Sequence, residues 1–490
     1  MQRLLSPNEA KFWLLDAVAP MNSIVVVERR RGDGPPPRVM PGEGPAPRVM
    51  AGEDPRPRVM AGEGLAPRVM AGEGLAPRVM AGEGRPSTTV GAAGSEAMDG
   101  RDKPGHDTGT DKSGYDTGRD KSGHDTGRDK PGHDTGGRGP AQDTDAPTRF
   151  TLPTIRRDAQ GRPRWASSDT PGVLRHETTA SPDDWLPTAA ALLGTRVGTE
   201  GHPPWHAVLQ HHPAGTTLIL AVNHALTDWR TSLHVAHAFL AGEHPGPIAP
   251  PCEELLPPAQ YGDAEADTLL DAWWSARAGA RWQALGHERL TAILPRATPT
   301  RFARHVLTEA ETRRLADRCE EEGVSLNGAL AIALRDTMQV ATVAHAVDME
   351  RFIRPAPPAG PGLAVAHVFT PLAEGPFWDA ARDNRAALFE QIRAGAAGDA
   401  LLALPRLLMG GTPDYQPATM TITGAPTVGT RAEADPDTTM QLVLSAARGG
   451  GGILILSYRG PCLQLIAGTP EGTHDIPLPE IVARLRDACA

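Results

Sequence analysis

Apolar and polar positions follow two rhythms along this chain, one of period 3.6 and one of period 2, and a long central stretch follows neither. Near the start, Ser6-Pro7-Asn8-Glu9 places a hydroxyl at a helix N-cap, a carboxylate three residues on and proline at the first helical position. This capping box predicts a helix through KFWLLDAV that ends by Pro20. SIVVVER, residues 23–29, is dense in β-branched side chains and predicts a strand. Beyond the central stretch, residues 148–165 have strand and turn character, with a turn at Asp158–Gly161. A helix is expected over about 182–194, then strands at 206–212 and 216–222 around a turn at Pro213–Gly215. After Asp228, Trp229, Leu233, Ala236, Phe239 and Leu240 make one helical stripe.

The second half opens with another capping box, Thr308-Glu309-Ala310-Glu311, whose helix stops at Gly323. In the next helix, Leu326, Leu330, Ala333, Leu334 and Thr337 form one buried stripe. Residues 439–446 and 453–458 read as a hairpin around a glycine-rich turn, with a further strand at 462–468 and a closing helix. Irregular alternation with antiparallel pairs predicts an α+β fold in two halves, divided near 290–300.

The central stretch is a repeat. PRVM recurs with a period of ten from 37–40 to 77–80, and units such as GHDTGRDKP follow with a period of nine. A calcium-binding β-roll also has nine-residue Gly- and Asp-rich units, but it needs an aliphatic residue in each unit to build a core. None is present, so residues 32–146 are expected to be a disordered insert without function, its His106, His124 and His133 solvated. The segments before and after it read as parts of one domain.

Composition narrows the function classes. A net charge of −10 opposes general nucleic-acid binding, which needs a basic face. Four dispersed cysteines show no paired metal spacing and suit reduced thiols. The N-terminal residues carry charges where a signal peptide needs an apolar core, and no apolar run approaches 18 residues. A soluble cytoplasmic protein is expected. His211–His212 point to opposite faces of a strand, a solvated strand end rather than a metal pair. His234 and His237 share a helix face without a carboxylate or cysteine to complete a ligand set, so no metal site and no metal hydrolase is expected.

LILAVNHALTDWRTS, residues 218–232, holds the candidate chemistry. With 17 histidines, about one His-x-x-x-Asp is expected by chance, so only its place in the chain has meaning. His224 ends an apolar strand and Asp228 opens an amphipathic helix, a scaffold-held loop suited to catalysis. This order resembles the active-site motif of the coenzyme-A-dependent acyltransferase superfamily. That group includes chloramphenicol acetyltransferase, nonribosomal peptide synthetase condensation domains, and polyketide-associated and wax-ester acyltransferases. LSPNEAKFWLLDAVAP, GVSLNGALAIALRDTM and VDMERFIRPAPPAGPGLAVAHVFTPL are similar to further stretches of the family, so the resemblance covers 1–31 and 147–490.

The resemblance implies two chloramphenicol acetyltransferase-like subdomains facing across a tunnel, the first made of 1–31 and 147–295, the second of 296–490. It implies acyl transfer from a CoA or acyl-carrier-protein thioester to a hydroxyl or amine, forming an ester or amide, with no cofactor. His224 would be the general base and Asp228 a loop support paired with an arginine such as Arg354. Asn223 stands where many members carry a second histidine, and Trp229 where many carry glycine; both would line the substrate site, with Trp229 narrowing a tunnel mouth or anchoring its helix. The repeat occupies the place of an expected helix and a short His-Pro segment. The rival reading is a noncatalytic acyltransferase-like relic disabled by the insert.

Overall fold

The computed structural model describes residues 3–30, 150–275, 299–408, 420–424, 437–445 and 452–490. The repeat segment 32–146, and the expectation that it is disordered, lie outside the described residues. Before it come β1 (Arg3–Leu4), α1 (Pro7–Val18) and β2 (Asn22–Arg30). After it come β3 (Thr154–Arg157), β4 (Pro163–Ala166), β5 (Val173–Thr178), α2 (Trp185–Leu193), β6 (Trp205–His212), β7 (Gly215–Asn223) and α3 (Trp229–Ala241). Short α4 (Cys252–Leu255) and α5 (Ala266–Trp274) follow. The second half holds β8 (Thr300–Val306), α6 (Glu309–Glu321), α7 (Leu326–Met338), β9 (Thr342–Asp348) and β10 (Val365–Pro371). It continues with α8 (Phe377–Arg393), α9 (Ala396–Leu401), α10 (Ala403–Leu408), β11 (Met420–Gly424), β12 (Thr438–Ser445), β13 (Ile453–Arg459), β14 (Cys462–Pro470) and α11 (Leu478–Ala488). The class is α+β.

Both capping boxes form. The Ser6 hydroxyl accepts the Glu9 N–H while the Glu9 carboxylate accepts the Ser6 N–H, and Thr308 with Glu311 repeats the arrangement. Strand β2 lies between β7 and β12, antiparallel to both, with Asn22 opposite Asn223 and Val25 opposite Val443. Its unbroken apolar run has a cause: Val25 and Val27 enter one core, Ile24 and Val26 enter another on the opposite face.

The hairpin expected at 439–458 is only partly formed. Strand β12 meets β13 at Met440–Arg459 and Gln441–Tyr458, then departs along β2. Met440, Leu442 and Leu444 thereby fill the core under β2. The rest of that edge of β13 carries β11 in parallel, and its other edge carries β14. The strand therefore joins a run β5-β6-β7-β2-β12 to a run β10-β9-β11-β13-β14-β8. The single apolar stripe expected on α7 is also corrected. Gly328 through Leu334 are buried all round, because α8 and α11 pack on α7 together with the sheet. No described helix is long and apolar enough to cross a membrane. The four cysteines are free thiols, with Cys252 and Cys319 buried.

Candidate active site

His224 leaves the sheet where the β2–β7 ladder ends, and its backbone N–H donates to the Met21 carbonyl at 2.8 Å. The turn that follows is tied by Asn223. Its Nδ2 donates to the Val197 carbonyl at 3.1 Å and its Oδ1 accepts the Ala225 N–H at 2.9 Å. Asn223 is buried with its amide committed to backbone at both ends, so the expectation that it lines a substrate site is corrected. It shapes the turn instead.

The His224 ring is half-buried, and its Nδ1 lies 2.7 Å from the Thr227 carbonyl. A carbonyl only accepts, so Nδ1 carries the hydrogen and the neutral ring presents its lone pair at Nε2. The Phe12 ring of α1 packs against it, tilted by 38° with 4.5 Å between centroids, and restrains the imidazole. Burial holds the imidazole below its ordinary pKa; the bond to Thr227 and the Asp228 charge oppose the shift, and the Lys11 charge adds to it. A neutral base at neutral pH follows.

Asp228 makes no hydrogen bond to that ring. It caps α3, its Oδ1 accepting the Thr231 N–H and hydroxyl, both at 3.0 Å. Its Oδ2 accepts the Ala364 N–H at 2.9 Å, ahead of β10. The Thr231 hydroxyl also lies 2.6 Å from the Gly362 carbonyl. Burial raises the Asp228 pKa, and these bonds hold it down in part. Arg354, the expected partner, is elsewhere: its guanidinium donates to the Ile353 carbonyl, and no ion pair joins it to Asp228 among the described residues. The reason is local. The Thr231 and Ala364 N–H groups already satisfy the carboxylate. Trp229, at the first position of α3, packs half-buried against the core beneath β7, with its indole N–H buried.

Three groups were not singled out in the sequence: Lys11 and His367, which act on or are acted on by His224, and Glu253, which acts on Lys11. Lys11 lies one residue before Phe12, its Nζ 5.2 Å from the Phe12 ring centroid. His367, half-buried on β10, is driven down to about 3 by burial and by the charges of Lys11 and His224. Glu253, on α4, is buried and pushed up to about 7, first by burial and then by the Glu9 charge, although it accepts the Asn8 N–H at 2.9 Å. Helical periodicity gives none of these, because each comes from a different element. One signal was available: Lys11 is the sole lysine outside the repeat segment, in a chain whose other basic residues there are arginines.

The remaining histidines take structural places. His212 is buried and bonds the Thr217 hydroxyl at 3.1 Å, which corrects the solvated strand end, while His211 is exposed and stacks on His176. His234 reaches the Pro245 carbonyl and His237 the Gln441 side chain. Among the described residues no three metal-ligating side chains converge.

No family model and no curated protein matches this sequence. Among solved structures, the chain is similar to the first condensation domain of the CDA synthetase, at 18% identity and a TM-score of 0.46, over 70% of this chain and 85% of that one. It is also similar to the EpoB NRPS cyclization-docking bidomain from Sorangium cellulosum, at 15% identity and a TM-score of 0.43, over 70% and 74% of the two chains. The SgcC5 protein from Streptomyces globisporus matches at 14% identity and a TM-score of 0.44, over 69% and 85%.

Proposed function

We propose that this chain is an acyltransferase of the coenzyme-A-dependent, condensation-like type, moving an acyl group from a thioester to a hydroxyl or amine, with His224 as general base. The observation that carries this reading is the 2.7 Å contact between His224 Nδ1 and the Thr227 carbonyl. It leaves Nε2 as a proton acceptor on a ring held neutral and restrained by Phe12.

In this reaction Nε2 takes the proton of the acceptor O–H or N–H as its oxygen or nitrogen attacks the thioester carbonyl carbon. Collapse of the tetrahedral intermediate breaks the C–S bond, and the departing sulfur takes the proton back from Nε2. No cofactor enters the balance, since the thioester is a co-substrate. The donor would be acyl-CoA or an acyl carrier protein, the setting a cytoplasm, and the product an ester or amide. Asp228 holds the loop and Trp229 anchors α3. On this reading 1–31 and 147–295 form one subdomain and 296–490 the other, facing across a tunnel, with 32–146 inserted into the first.

The test is thiol release by the purified full chain across acyl-CoA chain lengths, with pooled alcohols and amines as acceptors. Acceptor-dependent release that His224→Ala removes supports the proposal. No release with any thioester would leave the noncatalytic, acyltransferase-like reading in its place.

A further inference from the structure

We propose that Gly362 is a positioning residue for His224: its carbonyl holds the Thr227–Asp228 peptide in the orientation that keeps the imidazole hydrogen on Nδ1. This deepens the acyl-transfer reading and rests on it for His224 being the base. His224 Nδ1 donates to the Thr227 carbonyl at 2.7 Å. The N–H of that same peptide belongs to Asp228, and it donates to the Gly362 carbonyl, just ahead of β10, at 3.3 Å. The Thr231 hydroxyl adds a second link. It accepts the Asp228 N–H at 3.0 Å and lies 2.6 Å from the Gly362 oxygen.

A peptide group is planar, with its C=O and N–H pointing opposite ways in one plane. Holding the Asp228 N–H therefore holds the Thr227 carbonyl. The flanks leave that plane little freedom to turn. Ser232 Oγ donates to Thr227 Oγ1 at 2.8 Å and the Ser232 N–H to the Asp228 carbonyl at 2.9 Å, with Thr227 and Ser232 fully buried. A peptide that donates is also polarised toward accepting, so the bond at Gly362 strengthens the one at His224. The partner of one ring nitrogen decides which tautomer a histidine adopts, and here it leaves the lone pair at Nε2.

Glycine at 362 has a steric cause. Residues 360–364 are buried between residues 247–249 and the start of α3, the Ala249 N–H donating to the Pro361 carbonyl at 2.8 Å and the Ala364 N–H to Asp228 Oδ2. The φ of Gly362 lies outside the left-handed region, so its backbone conformation alone would admit alanine. Space would not. A Cβ there would stand 2.9 Å from the Ala249 Cβ, well inside the roughly 3.5–4.0 Å at which non-bonded carbons settle, and the segment would have to move. The same closeness of approach brings the Gly362 carbonyl to the Asp228 N–H.

The experiment is nitrogen-15 magnetic resonance of the full chain labelled at histidine, at about pH 8, where the two ring nitrogens of a neutral imidazole report which one carries the hydrogen. His224→Gln identifies the His224 signals. Wild type is expected to carry the hydrogen on Nδ1. Gly362→Ala should move these signals toward a mixture of both tautomers, and adding Ala249→Gly, which removes the opposing Cβ, should restore them. Thr231→Val deletes the hydroxyl link without adding bulk; it should move them the same way, and it decides the outcome where Gly362→Ala does not fold. With an accepted thioester, kcat should fall roughly tenfold in Gly362→Ala at unchanged KM, about the weight of one hydrogen bond, and recover in the double variant. A wild-type hydrogen on Nε2, a tautomer unmoved in the deciding variant, or a shift that Ala249→Gly leaves in place would overturn the proposal. The spectra need no turnover. A Gly362-dependent tautomer in protein that releases no thiol keeps this positioning and sinks acyl transfer, while thiol release with an indifferent tautomer does the reverse.

Discussion

Asp228 Oδ2 accepts the backbone N–H of Ala364 at 2.9 Å, joining residues 136 apart in sequence. The other oxygen of the same carboxylate caps α3 through Thr231. One buried side chain thus fixes the turn that carries His224 and the approach to β10, which carries His367. That division of its two oxygens explains why an aspartate stands here and why it needs no arginine.

Replacing Asp228 with asparagine keeps one oxygen where two are used. Asparagine remains a good N-cap, so the helix end survives. The Ala364 N–H then faces an amide nitrogen, and an unsatisfied buried donor costs about 1–3 kcal/mol. Asp228→Asn should lower the melting temperature and the urea midpoint, and lower the acyl-transfer rate with them. A variant with wild-type melting and no activity would make Asp228 a direct participant instead.

Glu253 gives a pH dependence of defined sign. Its carboxyl titrates at 4.5 in the unfolded reference and at about 7 when folded, because burial penalises the charge. The contribution of Glu253 to stability is therefore fully present below 4.5 and is lost as pH rises through about 7, on the order of 3 kcal/mol in all. Glu253→Gln retains an oxygen for the Asn8 N–H and cannot ionise. Urea midpoints should show the variant gaining on wild type between pH 5 and pH 8. A difference that is the same at both pH values would refute this.

Local signals made much of this fold readable in advance. Ser6 with Glu9 and Thr308 with Glu311 satisfy helix ends through bonds three residues long, so they are written in short words. The apolar runs of β2 and β7 likewise declare strands buried on both faces. What could not be read is pairing at a distance. Strand β12 leaves β13 for β2 because the core under β2 needs Leu442 and Leu444, a requirement set some 400 residues away in sequence. The site divides the same way. His224 and Asp228 were legible because a strand end and a cap flank them. Ala364 as the partner of Asp228, and Lys11 and His367 as groups that act on or are acted on by His224, arise only when α1, β7 and β10 meet. Arg354 was the wrong partner because sequence shows charges, not the backbone N–H groups that compete with them.

The long segment between β2 and β3 gives another test. Strand β2 pairs with β7 along its whole length, from Asn22–Asn223 to Arg30–Gly215, and with β12 on its other edge. Ile24 through Val27 are fully buried. A site-specific protease sequence placed between Gly84 and Arg85, then cut, should yield two pieces on a denaturing gel and one species in native gel filtration. Release of the N-terminal piece without denaturant would contradict the pairing of β2.

His224 is the sharpest case, because two roles fit a strand-end histidine. A structural imidazole satisfied by Thr227 would give a substitution that lowers stability, with activity lost only in proportion to unfolded protein. A general base gives a different result. Burial holds its pKa below 6.5, so the ring is already neutral and basic at pH 7. The acid limb of kcat/KM for acyl transfer should have its midpoint below 6.5, as Nε2 is protonated. His224→Ala should reduce kcat by ~10²–10⁴-fold, the usual contribution of a positioned base, while thioester binding persists. Melting of the same samples separates the roles: unfolding of the variant at the assay temperature would point to structure. A folded His224→Ala that retains most of the wild-type rate would remove the base assignment, and an acid limb unchanged in position by that substitution would assign it to another group.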